Sequence, residues 1–81
     1  MYYFVYVLQS KKDGGIYTGY TDDLNRRYRE HQRGLVVTTK ARRPPELVYF
    51  EGYKDKIKAM AREKYLKTGW GRNYLAKIFK D

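Results

Sequence analysis

At 81 residues the chain has room for one small domain, which buries only about 60–65% of its unfolded surface, and it holds no cysteine to supply a disulfide framework or a thiolate metal cluster. Stability must come from apolar burial, and a cytoplasmic location is allowed. Eighteen Lys and Arg against nine Asp and Glu give a formal charge of +9, which points to a polyanionic partner. Nucleic acid ranks ahead of an anionic membrane, because no basic amphipathic helix with a broad apolar face is present.

The opening run, MYYFVYVLQS, lacks a basic leader and a small-residue cleavage site, and its apolar part ends at Gln9, well short of a membrane span. Its Tyr, Phe and Val content predicts a strand over 2–9. Asp13-Gly14 predicts a hairpin turn, and 16–20 is the returning strand. Thr21, Asp22 or Asp23 caps a helix that begins near Leu24 and is ended by Gly34 as its C′ residue. Leu24, Tyr28 and Leu35 form a thin apolar line on it, surrounded by Arg26, Arg27, Arg29, Arg33 and His31.

Residues 35–46, LVVTTKARRPPE, predict a surface loop, because two prolines oppose a helix. Lys40, Arg42 and Arg43 suit that loop equally to a phosphate backbone or to a plain basic connector. A third strand follows over 46–53. Asp55 then caps a helix that Gly69 ends and whose main apolar face is Ile57, Met60, Ala61 and Tyr65. Residues 72–79 predict a short closing helix with Tyr74, Leu75, Ile78 and Phe79 available to pack. The order β-β-α-β-α-α predicts an α+β fold, a three-stranded antiparallel sheet with helices packed on it, in one domain over residues 1–81.

Several chemistries are excluded by what is missing. There is no thiol nucleophile, a single histidine rules out a His-rich zinc site and an HExxH pair, and no Walker loop is present. No element carries a carboxylate cluster apart from Asp22-Asp23 at the cap of the first helix, so any metal would be one ion with few protein ligands. For a hairpin turning near Asp13-Gly14, Tyr6 and Tyr17 fall on one sheet face unless a bulge intervenes, and Gly19 shares it. Gly19 leaves room there for a packed helix or a phosphate. Arg27 and His31, spaced i, i+4, project side by side from the first helix. A guanidinium can offset charge on phosphorus, and a phenol of pKa about 10 can take a proton from water only if a cation lowers it. Each residue also has a plain explanation: core tyrosines, a solvated Arg27, a helix-end His31, and Glu63 as the i, i+4 partner of Lys67.

Taken in order, these residues resemble the GIY-YIG nuclease family. FVY at 4–6 stands in the place of the first motif, and YTG at 17–19 matches the second, Tyr-Ile-Gly. Gly15-Ile16-Tyr17 spells the first motif, but its spacing assigns Tyr17 to the second. The family's helix arginine follows ten residues later, which is Arg27, and the histidine of short members one turn on is His31. TTKARRPPELVYFE is similar to the run into the third strand, and AMAREKYLK resembles the segment around the metal-binding glutamate, here Glu63. The resemblance spans roughly Tyr3 to Leu75. It departs from the family at Phe4, where the naming glycine stands, and at Tyr20, where several members have lysine. Asn73 is either the family's late asparagine or a cap of the last helix.

The resemblance implies hydrolysis of DNA phosphodiesters with one divalent ion, Mg²⁺ or Mn²⁺, bound by Glu63. It implies that Arg27 stabilises phosphate charge and that Tyr6 or Tyr17 positions or deprotonates water. His31 then accepts the tyrosine proton or contacts phosphate. Arg26, Lys40, Arg42 and Arg43 become candidates for nonspecific backbone contact. Substrate selection has to come from the chain's own basic surface, from a protein partner or from self-association. The alternative is a domain of the same fold that binds DNA or structured RNA without cutting, against which stands the joint presence of Tyr17 and Glu63.

Overall fold

Strand β1 (Tyr3–Ser10) folds back on β2 (Ile16–Thr21) and pairs on its other side with β3 (Pro45–Tyr53), giving an antiparallel sheet in the order β2-β1-β3. These are the elements of a computed structural model, which describes residues 1–79. The turn is closed by Gly14 N donating to Ser10 O and Ser10 N to Gly15 O, both at 2.8 Å. Gly14 adopts φ 75°, a value that the glycine of the Asp13-Gly14 pair meets without strain. Pro45 opens β3, and an edge strand tolerates a residue without an N–H at its first position. A bulge between Val7 and Leu8 places Tyr49 opposite the first and Leu47 opposite the second.

Helix α1 (Leu24–Gln32) follows β2 directly, with Asp23 as its cap: its Oδ1 accepts from Arg26 N at 3.1 Å. Gly34 (φ 76°) ends the helix, with Leu35 N donating back to Glu30 O. The inward line of α1 is Leu24, Tyr28 and His31, not Leu24, Tyr28 and Leu35. Positions 24, 28 and 31 stay on one helical face, whereas the glycine swings Leu35 out to solvent. Residues 35–46 are also not wholly a loop, since Val37–Lys40 form a short helix α2. The two prolines lie beyond its end and so do not oppose it.

Helix α3 (Lys56–Leu66), capped by Asp55, and helix α4 (Gly69–Phe79) cover the opposite sheet face. Val5 and Val7 meet Ala59, Leu66 and Leu75 there, with Tyr3, Tyr20, Val48, Tyr53 and Phe79 around them. The expected apolar face of α3 is wrong: Ile57 is 76% exposed, Met60, Ala61 and Tyr65 also face outward, and Ala59 and Leu66 are the buried residues. The inward line therefore passes through Arg62 and Glu63, each half-buried because it has an opposite charge to meet. In α4, Leu75 is buried and Phe79 half-buried, while Tyr74 and Ile78 stay at the surface.

Gly69 does not end α3. Lys67 is the C-cap, and Gly69 opens α4 after Thr68, whose Oγ1 accepts from Gly71 N. The last helix thus begins three residues ahead of the expected start at 72, and Asn73 lies inside it and caps nothing. The tight α3–α4 junction requires Gly71, because a Cβ there would collide with Tyr65 O and Leu66 Cα, both backbone. Gly71→Ala should lower unfolding stability by roughly 2 kcal/mol in urea melts, while Gly69→Ala, which meets nothing within 4 Å, should stay within about 0.5 kcal/mol.

Candidate active site

The site is built on the sheet face that α1 and α2 cover. Tyr6 and Gly19 are direct partners across β1 and β2, and Tyr17 lies one pair further along the same face. The Tyr6 ring lies over Gly19, where a Cβ would run into its Cζ and Oη. The room at Gly19 is thus taken by Tyr6, and neither a helix nor a phosphate occupies it. Tyr20 is on the other face, stacked on Tyr3 with ring centroids 6.3 Å apart.

From α1, His31 packs against both tyrosines, its ring centroid 5.6 Å from that of Tyr6 and 5.2 Å from that of Tyr17, and the two tyrosine rings are 6.4 Å apart. His31 is 0% exposed and Tyr6 1%. His31 Nε2 lies 2.9 Å from Tyr6 Oη, and Nδ1 lies 2.7 Å from Thr39 Oγ1. The Thr39 hydroxyl points to Val36 O at 3.5 Å, so it accepts from Nδ1–H, and Nε2 is left to accept the Tyr6 O–H. Thr39, on the four-residue helix that sequence patterning missed, is the partner that completes this chain. No sequence signal singles out Thr39 from the neighbouring Thr38.

Burial pushes the Tyr6 phenol up to about 12, outweighing the lowering effect of Arg27 beside it. Burial also holds His31 down to about 4, with the Arg27 charge adding to it, so the ring is neutral at pH 7. Arg27 itself donates to Glu30 Oε1 at 2.9 Å, and that contact pushes its pKa up. Arg26 points away into exposed ion pairs with Asp22 and Glu30. Beside these two arginines, Tyr20, Thr21, Asp22 and Lys56 border a cleft of about 300 Å³.

Glu63 comes from α3, on the other side of the sheet. Its negative charge is felt at Tyr6, whose pKa it helps to raise, and its Oε2 accepts from Lys67 Nζ at 2.9 Å. Arg42 crosses Gly15 toward Tyr17 and pairs with Asp13 at 3.5 Å. Lys40 is exposed at the end of α2, and Arg43 folds back over Gly34 to donate to Lys40 O and Gln32 O. Tyr6, Tyr17, Gly19, Arg27 and His31 therefore share one site, with Arg42 nearby and Arg26 across the cleft it borders with Arg27; Glu63 is brought no closer than its charge being felt at Tyr6, and Lys40 and Arg43 lie apart. Asn73 is on the outer surface, against Trp70 and Tyr74.

A family model described as the GIY-YIG catalytic domain matches residues 2–74. UPF0213 proteins of Staphylococcus aureus strains Mu50 and N315 are each 46% identical over 67 residues, covering 82% of this chain and 80% of the relative. The solution NMR structure of a UPF0213 protein from Bacillus halodurans superposes with a TM-score of 0.60 at 34% identity, covering 96% of this chain and 85% of that one.

Because His31 titrates near 6.5 in an unfolded chain and near 4 here, the unfolded state binds the extra proton between those values. The stabilisation it gives is complete above pH 6.5 and should be lost as the pH falls toward 4. NMR titration should find the His31 ring still neutral at pH 5. A midpoint near 6.5 would contradict the buried hydrogen-bond chain.

Proposed function

The chain belongs to the GIY-YIG catalytic domain family, a family of nuclease domains, and we propose that it is a metal-dependent endonuclease hydrolysing DNA phosphodiester bonds in branched, nicked or damaged DNA. The observation that carries this reading is the convergence of Tyr6, Tyr17, Arg27 and His31 on one face of the β1–β2 hairpin. A domain that only binds DNA would not require a buried Tyr–His–Thr chain beside an arginine and a glutamate.

Among the described residues, no three metal-ligating side chains are gathered in one place. An ion would have to complete its shell with water and phosphate oxygens, as Mg²⁺ commonly does. Glu63 suits that arrangement as the single protein ligand, since among the described residues its carboxylate is engaged only by Lys67, through a partly exposed and weak ion pair. A bound Mg²⁺ or Mn²⁺ would offset charge on the scissile phosphate.

In this reading Arg27, held by Glu30, places its guanidinium against the phosphate and stabilises the charge that builds there. Tyr17 positions the attacking water and, acting as the phenolate after losing its own proton to solvent, takes the proton of that water. It is favoured over Tyr6, whose proton is donated to His31 in a buried site and whose pKa is about 12. Tyr6 and His31 then act as a rigid wall that fixes the Tyr17 ring. Full burial of His31 leaves no surface on it for a phosphate.

Plasmid and branched oligonucleotides incubated with Mg²⁺ or Mn²⁺ test this directly. Tyr17→Phe, Arg27→Ala and Glu63→Ala should each cut at least about 100-fold more slowly, while Tyr6→Phe should lose roughly tenfold. Undiminished cutting by Glu63→Ala would remove the metal assignment. Tight, salt-sensitive binding with no cutting under either metal would favour the binding-domain alternative.

A further inference from the structure

Next to Tyr17, between the open edge of β2 and the α3–α4 junction, lies a groove of about 520 Å³, within the usual size of a ligand site. Ile16, 42% exposed, and Tyr17 give its accessible apolar edge above the buried Leu66 and Leu75, and Arg42, Lys67 and Arg72 contribute three positive charges with no carboxylate among the described lining residues. Arg42 pairs with Asp13 and Lys67 with Glu63, both at least partly exposed and outside the groove. Arg72 has no ion pair among the described residues. It sits in the first turn of α4, its backbone N–H anchored to Thr68 O at 2.9 Å, so the base of this side chain has a defined place beside the groove. No role in the nuclease chemistry above uses Arg72.

We propose that this groove binds the cleaved nucleic-acid strand beside the scissile position, with Arg72 as the contact to a neighbouring phosphate and the Tyr17 and Ile16 side chains against the sugar. The proposal rests on the nuclease reading for which bond is cut, but not for the binding itself. Lys67 and Arg42 join Arg72 by exchanging their carboxylate partners for phosphate oxygens, a substitution of one anion for another that costs little at the surface. The exposed apolar edge at Ile16 favours a strand lying in the groove over a free inorganic ion, which would leave Ile16 uncovered.

Fluorescence anisotropy of a short labelled DNA duplex in EDTA, titrated with the full chain at several salt concentrations, tests the groove without requiring catalysis. Arg72→Ala and Arg72→Gln should raise Kd roughly fivefold at low salt and reduce the slope of log K against log salt by about 1. Lys54→Ala, which removes an equal charge from an exposed turn, should change neither by as much. In cleavage assays the Arg72 variants should raise KM with kcat kept. If the wild type binds DNA and the Arg72 variants behave as Lys54→Ala does, the groove assignment is overturned and the nuclease reading stands. If the wild type binds no DNA, both fall.

Discussion

The absence of a side chain at residue 19 decides where Tyr6 can stand. A glycine inside a strand weakens it, but here it lets the Tyr6 ring lie across β2 with its hydroxyl beneath α1. There the phenol meets the only histidine, and the histidine meets Thr39 on the next short helix. Strand β1 and helices α1 and α2 are thus tied by two buried hydrogen bonds, and no buried polar side-chain atom among the described residues is left without a partner. Any larger residue at 19 would force Tyr6 outward and break the chain at its first member.

The other sheet face has its own constraint, an ion pair between Glu51 on β3 and Arg62 on α3. Arg62 Nε and Nη2 donate to the two Glu51 oxygens at 2.9 and 3.0 Å, in the bidentate geometry that gives such pairs both strength and direction. Tyr49 and Tyr53 also donate to that carboxylate, and the guanidinium lies 5.3 Å from the Tyr65 ring centre and 5.0 Å from that of Tyr74. Burial alone would push Glu51 up, but Arg62 and the two phenols outweigh it and hold the carboxyl below its usual range. Removing one partner would strand the other half-buried, which is why the pair fixes the rotation of α3. That rotation is what turns Glu63, the next residue, toward the sheet.

The strands, the hairpin turn, the caps at Asp23 and Asp55 and the shared face of Tyr6 and Tyr17 were legible in the sequence because each rests on a short-range rule: period two, Asp-Gly, a capping side chain. The orientation of α3 was not. Apolar patterning chooses Ile57, Met60, Ala61 and Tyr65 as the inner face, but the charge of Arg62 has its partner Glu51 on β3, and only the tertiary structure reveals it. His31 was misplaced for the same reason: an isolated polar residue looks like a surface residue until its buried partners are known. Thr39 and Arg72 carried no local signal, one being an ordinary threonine and the other one cation among many.

The large positive charge raises a problem of self-repulsion that the site's acids mitigate. Glu30 holds Arg27, Asp13 holds Arg42 and Glu63 holds Lys67, so each of these cations is paired in the free chain. All three pairs are partly open to water, and such pairs contribute only about 0–1 kcal/mol each. A phosphate can therefore displace the carboxylates at small cost, whereas a fully buried pair like those of a core would resist it. The same exchange has a second effect at Lys67: moving its ammonium toward the strand frees the Glu63 carboxylate, the one acid assigned to the metal. Strand binding and metal binding would then favour each other through a single lysine, and the coupling must be reciprocal.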